Sequence, residues 1–219
     1  MSQLQIGTYK TISTLGSGTY GVVRLALDRN GRQVAIKTVQ TGQMRADRKE
    51  LVDAEIAAVQ VLKHKHIIEL KEIIDEEFQI HFVMECARGG DLLQYVNSKG
   101  KLDEKEAREF FYQLCSAVEY THKSGFIHRD LKLENVLLDS ARQVKLADWG
   151  YAARWAPGAK LTAALGSLHY AAPEVCSGKE YTGIRLLVIP SLSIFYFTSA
   201  PVKRVIRSAL LPLAHVVYF

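Results

Sequence analysis

The sequence predicts an α+β chain in two unequal lobes, a small β-rich one and a helical one, joined by a hinge near Glu85. Three observations carry this. Tyr9 to Leu15, Tyr20 to Leu27 and Val34 to Val39 read as strands, with Asp28-Arg29-Asn30-Gly31-Arg32 as the turn between the second and third. Arg88-Gly89-Gly90 then breaks the pattern. Beyond it, Ala107, Phe110, Phe111, Leu114, Ala117, Val118 and Thr121 recur at helical spacing on a long helix that ends at Gly125.

The intervening elements follow in order. A helix is predicted from Arg48 to Lys63, with Val52, Ile56 and Val59 as its apolar stripe and Leu62 close by. Glu55 falls on that inward face, where a carboxylate needs a cationic partner. Ile67 to Ile74 and Phe78 to Glu85 are two more strands joined by an acidic turn. Asp103, with Glu106 three residues on, has the form of a capping box at the start of the long helix. Val136 to Leu138 and Val144 to Leu146 flank a turn at Ser140 and suit a small hairpin. There is no internal repeat and no low-complexity tract.

Composition narrows the function classes. The 219 residues are 48% hydrophobic, enough for one good core or two small ones, and the 23% charged share argues against wholesale disorder. A net charge of +5 is modest, and acids and bases alternate instead of forming the basic stripe of a nucleic-acid binder. Cys86, Cys115 and Cys176 lack metal-ligand spacing and read as thiols of a reducing compartment. Met1 to Lys10 has no apolar run of a secretory signal, so a cytoplasmic or nuclear location is expected. After Glu180 the chain contains no acidic residue at all.

The chemistry lies in four motifs. Leu15-Gly16-Ser17-Gly18-Thr19-Tyr20-Gly21-Val22-Val23 holds three glycines between two strands, whereas a dinucleotide-binding loop would lie between a strand and a helix. Glycines there let backbone N–H groups close over phosphate oxygens. Lys37 follows on the third strand in Val34-Ala35-Ile36-Lys37; it is either a solvated strand lysine or the partner of Glu55, held over two phosphates. In His128-Arg129-Asp130-Leu131-Lys132-Leu133-Glu134-Asn135, Asp130 can accept a hydroxyl proton and Asn135 can hold Mg²⁺, with Lys132 beside the transferred group. Asp148-Trp149-Gly150 adds a second carboxylate for the metal.

In this order the motifs resemble the eukaryotic protein kinase family, over about Tyr9 to Gly183 and through Ala172-Pro173-Glu174. Lys132 points to the serine/threonine type. The run Gly166-Ser167-Leu168-His169-Tyr170-Ala171-Ala172 is most similar to the calcium/calmodulin-dependent and AMP-activated kinase group. The resemblance implies a small lobe over 9–85, a partial large lobe over 86–183 and an unrelated tail over 184–219. It implies ATP and Mg²⁺ as cofactors, with Asn135 and Asp148 on the metal, and Ser/Thr-bearing protein substrates. Met84 would be the gatekeeper and Glu85 to Ala87 the segment reading adenine. Leu15, Val23, Ala35 and Leu137 would sandwich the base, although core packing alone would also explain them. Asp91 would reach the ribose and, with Glu134, favour a basic residue upstream of the target hydroxyl.

Three departures from the family pattern stand out. Trp149 replaces the usual Phe and is expected to fill the same internal slot. Ala163 stands where a phosphorylatable Thr is common, with Thr162 as the adjacent substitute that would engage Arg129. After Gly183 the anchoring Asp- and Trp-bearing helix of the family is missing. A frameshift, retained intron or alternative exon fits that abrupt change best. A membrane anchor is a second origin, but the uncharged run Leu186 to Val202 is short for a span and contains Pro190 and Pro201. A genuine substitute for the missing helices is the third. Without those helices the apolar face of the 107–121 helix is expected to lose its cover, inviting aggregation or a regulatory partner. Two functions are therefore expected, an active protein kinase or a silent kinase-like binder of ATP or of a protein; neither nucleic acid nor a membrane is an expected partner.

Overall fold

β-Branched residues and tight turns put the first part of the chain into a single antiparallel sheet in which the first four strands run in sequence order and the sixth lies between the fourth and the fifth. These are β1 (Gln5–Ile6), β2 (Tyr9–Gly18), β3 (Gly21–Leu27), β4 (Gln33–Gln40), β5 (Leu70–Glu76) and β6 (Gln79–Glu85). The structure is a computed structural model describing residues 4–18, 21–42, 44–156, 158–161, 165–167 and 181–182. Asp28 builds the β3–β4 turn by accepting the Asn30 and Arg32 N–H groups, each at 2.8 Å. Side chains alternate along β4, so Val34 and Ile36 pack with Tyr9, Ala26 and Val83 on one face. Val39 faces the main core, while Ala35 and Lys37 share their face with Met84 and Phe82, their register partners on β6.

Helix α1 (Ala46–Val61) crosses between β4 and β5 and buries Val52, Glu55, Ala58 and Val59. It starts and ends two residues earlier than the predicted span. The predicted Ile67 strand is displaced as well, beginning at Leu70 and running on to Glu76. Ile67 and Ile68 are drawn away because they pair with a distant strand: Ile67 bridges Leu146, and the Ile68 N–H donates to the Leu146 carbonyl at 2.9 Å.

Helix α2 (Leu92–Lys99) had no counterpart in the sequence reading. It is short and buries only Leu92 and Val96, too few positions to register as a period. Its punctuation was nonetheless present, since Asp91 caps it by accepting the Gln94 N–H at 2.8 Å and Gly100 ends it. Helix α3 (Glu104–Lys123) is capped by Asp103, which accepts the Glu106 N–H at 2.8 Å. Among the described residues only that half of the expected capping box forms; the Glu106 carboxylate instead takes hydrogen bonds from Tyr95 and Lys99.

The expectation of an uncovered α3 face is corrected. Ala107, Phe110, Phe111, Leu114, Ala117, Val118 and Thr121 are all at most 4% exposed. All but Thr121 join one core with Leu92 and Val96 of α2 and with residues of two short strands, β8 (Val136–Leu138) and β9 (Val144–Leu146). Helix α2 and the β8–β9 hairpin thus supply cover for α3 that was not anticipated from sequence. The remaining described strands are pairs: β7 (Phe126–Ile127) with β10 (Ala153–Arg154), and β11 (Lys160–Leu161) with β12 (Tyr181–Thr182). No helix among the described residues is long and apolar enough to cross a membrane, and the Leu186 to Val202 run lies outside them.

The last turn of α3 sets an acid limit on stability. His122 packs on Trp155 with ring centroids 5.3 Å apart, and burial pushes its imidazole down to about 4. A folded value below the unfolded one stabilises the protein above pH 6.5, and that contribution disappears as pH falls toward 4. Between pH 7 and pH 5 the loss is about 2 kcal/mol. His122→Phe, which keeps the ring contact and removes the proton, is expected to flatten this part of a urea-stability profile. An unchanged profile would contradict the assignment.

Candidate active site

Lys37 on β4 is the centre of the site. Its Nζ lies 2.6 Å from Glu55 Oε1 on α1 and 2.7 Å from Asp148 Oδ1. Burial acts to lower the Lys37 pKa, but the two carboxylates outweigh it and hold the ammonium above its ordinary value. Burial pushes the Glu55 carboxyl up against the pull of Lys37. Burial also acts to raise Asp148, yet Lys37, His128 and the Gly150 N–H bring it below the usual carboxylate value. One ammonium between two carboxylates leaves a surplus of negative charge.

The 128–135 segment forms a closed hydrogen-bonded loop next to it. His128 is 3% exposed; Nε2 lies 2.9 Å from the Ala147 carbonyl, and Nδ1 accepts the Asp130 N–H at 3.2 Å. Those two bonds require the neutral Nε2–H tautomer, consistent with burial lowering the His128 pKa. Asn135 Nδ2 donates to the Asp130 carbonyl at 2.8 Å and to Asp130 Oδ2 at 3.1 Å. Lys132 Nζ lies 2.8 Å from Asp130 Oδ2. Burial acts to raise Asp130, but hydrogen bonds from Lys132 and Ser167 hold it below its ordinary value, so it is a carboxylate at neutral pH. Arg129 and Asp148 both have positive φ, 65° and 64°, a strained backbone of the kind held at functional sites.

Between the sheet and this loop is a cavity of about 650 Å³. Leu15, Gly16, Gly18, Gly21 and Val23 line it from β2 and β3, Ala35 and Lys37 from β4. Met84, Glu85, Ala87 and Asp91 form another wall, and Leu137, Asn135, Lys132 and Asp148 lie opposite. Every residue predicted for the site therefore faces one cavity except Asp130, which adjoins it through Lys132 and Asn135. A Cβ on Gly16 or Gly18 would enter open space, so the need for glycine there is not packing. Gly21 differs: at φ +134°, its Cβ would lie 2.0 Å from the Thr38 carbonyl oxygen.

Comparison with known proteins decides the family. The protein kinase domain family matches residues 9–185. The chain belongs to the protein kinase family. Among its relatives, NUAK family SNF1-like kinase 2 of Rattus norvegicus is 42% identical over 176 residues, covering 80% of this chain and 28% of that protein. Serine/threonine-protein kinase SIK1 of Mus musculus is 42% identical over 184 residues, covering 84% and 24% respectively. The chain thus spans about a quarter of the length of these curated relatives. The bilobal kinase fold and the serine/threonine branch suggested by Lys132 agree with these matches.

The kinase donor set fits Mg²⁺. Asn135 Nδ2 is engaged by Asp130, which leaves the amide oxygen as the acceptor, and Asp148 supplies a second hard oxygen amid surplus negative charge. Among the described residues no three His, Cys, Asp or Glu side chains form a self-sufficient cage, so a cation here would complete its shell with water or ligand oxygens.

Ser167 is a site residue the sequence reading quoted but gave no role. Its N–H donates to Asp130 Oδ1 at 2.8 Å, and its hydroxyl accepts from Lys132 Nζ at 2.9 Å. Gly166 permits the approach, because a Cβ there would lie 2.3 Å from the Arg129 carbonyl oxygen. Phe82 was also missed; it lies opposite Lys37 on β6, and its two-residue spacing from Met84 on the same strand face was the usable signal.

Trp149 sits in an internal slot, 3% exposed, with its ring 4.7 Å from that of His128. Its Nε1 is buried with no hydrogen-bond partner among the described residues. An orphaned donor costs about 1–3 kcal/mol, which offsets the packing gained by the larger ring. Trp149→Phe is expected to change stability by less than about 1 kcal/mol, whereas Trp149→Ala should cost about 3–5 kcal/mol. Chemical denaturation of both variants checks this; a Phe variant as unstable as the Ala one would refute it. Thr162, Ala163, Ala172-Pro173-Glu174 and the 184–219 tail lie outside the described residues.

Proposed function

We propose that this chain transfers the γ-phosphoryl group of Mg·ATP to serine or threonine hydroxyls of protein substrates. The reading rests on one observation above all: an ammonium held between two carboxylates at the edge of the cavity, one loop away from a buried, ionised aspartate.

Leu15, Val23, Ala35 and Leu137 enclose the adenine in this reading, with Met84 behind it and the Glu85 to Ala87 backbone reading its edge. Asp91 serves the ribose with the oxygen not engaged in capping α2. Gly16, Gly18 and Gly21 let the backbone close over the phosphates, and Lys37, fixed by Glu55, positions them. Asn135 and Asp148 hold Mg²⁺, which supplies charge neutralisation at the phosphates. Asp130 orients the acceptor hydroxyl and takes its proton. The oxygen–phosphorus bond forms as the bond from γ-phosphorus to the bridging oxygen breaks, and ADP leaves with that electron pair; Lys132 stabilises the charge that develops. Residues 9–85 act as the lobe covering the nucleotide and 86–183 as the lobe carrying the loop. Asp91 and Glu134 favour a basic residue upstream of the target, and the protein works in the cytoplasm or nucleus.

One observation favours a second reading, binding without turnover: Asp130 Oδ1 and Lys132 are already engaged by Ser167. The deciding experiment incubates the purified chain with γ-labelled Mg·ATP and a basic Ser/Thr peptide, beside its Asp130→Asn variant. Label in the peptide that depends on Asp130 supports the kinase reading. Stoichiometric nucleotide binding with no transfer supports the second.

A further inference from the structure

The segment that links the two lobes, Glu85 to Asp91, rests on the β8–β9 hairpin. The Gly89 N–H donates to the Leu138 carbonyl at 2.7 Å, the Leu138 N–H donates to the Gly90 carbonyl at 2.8 Å, and Asp91 bridges Leu137. A Cβ at Gly89 would lie 2.7 Å from the Asp139 carbonyl oxygen, so the contact is tight. The same hairpin holds the small lobe, because Leu146 exchanges hydrogen bonds with His66 and Ile68. It also holds the 128–135 loop, through the Ala147 N–H and the Asn135 carbonyl at 2.9 Å.

One ion pair spans this junction. Lys145 Nζ lies 2.8 and 3.0 Å from the two carboxylate oxygens of Glu85. Their side chains are 15% and 25% exposed, unlike an ordinary solvated surface pair. The Glu69 N–H also donates to Glu85 Oε1 at 2.9 Å, and the Glu85 N–H donates to the Glu69 carbonyl at 2.9 Å. Lys145 is the register partner of Leu137, so the two side chains leave the hairpin on the same face. Leu137 lines the cavity and Lys145 grips its opposite wall.

We propose that Lys145 is a positioning residue: its ion pair with Glu85 latches the interlobe linker to the β8–β9 hairpin and thereby sets the width of the nucleotide slot. The latch acts on Glu85 and the linker backbone, with no contact to the transferred group. Its loss therefore shows in nucleotide affinity and KM for ATP, with kcat preserved at saturation. This rests on the nucleotide reading of the cavity, whereas its effect on the linker does not.

The test uses the full chain, with Mg·ADP as the probe, quenching of tryptophan fluorescence as the binding signal and hydrogen exchange at the linker amides. Lys145→Met is expected to weaken Mg·ADP by roughly five- to ten-fold and to speed exchange at the Gly89 amide. Lys145→Arg should restore both. Glu85→Gln combined with Lys145→Met should bind no more weakly than the weaker single variant, because both remove one interaction. Unchanged affinity and exchange in Lys145→Met would overturn the latch, as would strictly additive effects or failure of Arg to rescue. A wild-type chain that binds no Mg·ADP would remove the nucleotide reading, and the latch would then stand or fall on linker exchange alone.

Discussion

An Asp130→Asn chain is expected to lose phosphoryl transfer by about 10³-fold while still binding Mg·ATP. The substitution keeps the shape and removes the base. It also reverses a hydrogen-bonding pattern, because Asp130 Oδ2 faces two donors, Asn135 Nδ2 at 3.1 Å and Lys132 Nζ at 2.8 Å. An amide nitrogen placed there would oppose both, and a flipped amide would set it against the Ser167 N–H instead. The loop should therefore loosen locally as well as lose its proton acceptor. Single-turnover transfer and equilibrium nucleotide binding separate these effects; a variant within ten-fold of wild type would exclude Asp130 as base. The acid side of the stability profile has a fixed sign too. Asp130 and Asp148 are held below the ordinary 3.8, so their contribution to stability is present above that value and lost as pH falls through the lower folded values. Any loss of stability between about pH 7 and 5 should follow the buried histidines rather than Asp130.

Much of the site was legible because its chemistry is local. Asp130, Lys132 and Asn135 lie within one short loop, and spacing alone brings them together. Lys37 and Glu55 were harder, being 18 residues apart, yet a carboxylate on the buried face of a helix must find a cation, and the strand lysine was the candidate. What sequence could not supply was long-range register. Ser167 reaches Asp130 across 37 residues, and Lys145 reaches Glu85 across 60, with no periodicity linking either pair. The fold shows the same division. The β4 strand and α3 followed from pattern, whereas α2 escaped because two buried positions make no period, and Ile67 was misassigned because its partner is the distant Leu146. The mistaken expectation about α3 has the same origin. Its cover includes α2 and the β8–β9 hairpin, elements too short for sequence pattern to assign to that face.

Lys37→Met should give the largest combined effect, a loss of transfer of about 10²–10³-fold and of roughly 3 kcal/mol in stability near pH 8. Removing the ammonium leaves the buried Glu55 carboxylate beside the partly exposed one of Asp148, with no cation between them. Glu55 is 5% exposed and its carboxyl is already pushed up by burial, so it is the group that takes up a proton in the variant. A folded value raised above the ordinary 4.5 costs nothing below 4.5 and destabilises increasingly as pH rises through the raised value. The deficit of Lys37→Met relative to wild type should accordingly be smaller at pH 5 than at pH 8, opposite in sign to the acid loss expected from His122. At pH 8 the thermal midpoint should fall by roughly 6–12 °C. Adding Glu55→Gln to Lys37→Met removes the stranded carboxylate, so it should recover part of that stability without restoring transfer. A Lys37→Met deficit that is equal at both pH values would mean that Glu55 does not take up the proton. Recovery of transfer in the double variant would remove Lys37 from the chemistry, leaving the Lys37–Glu55–Asp148 triad a purely structural one.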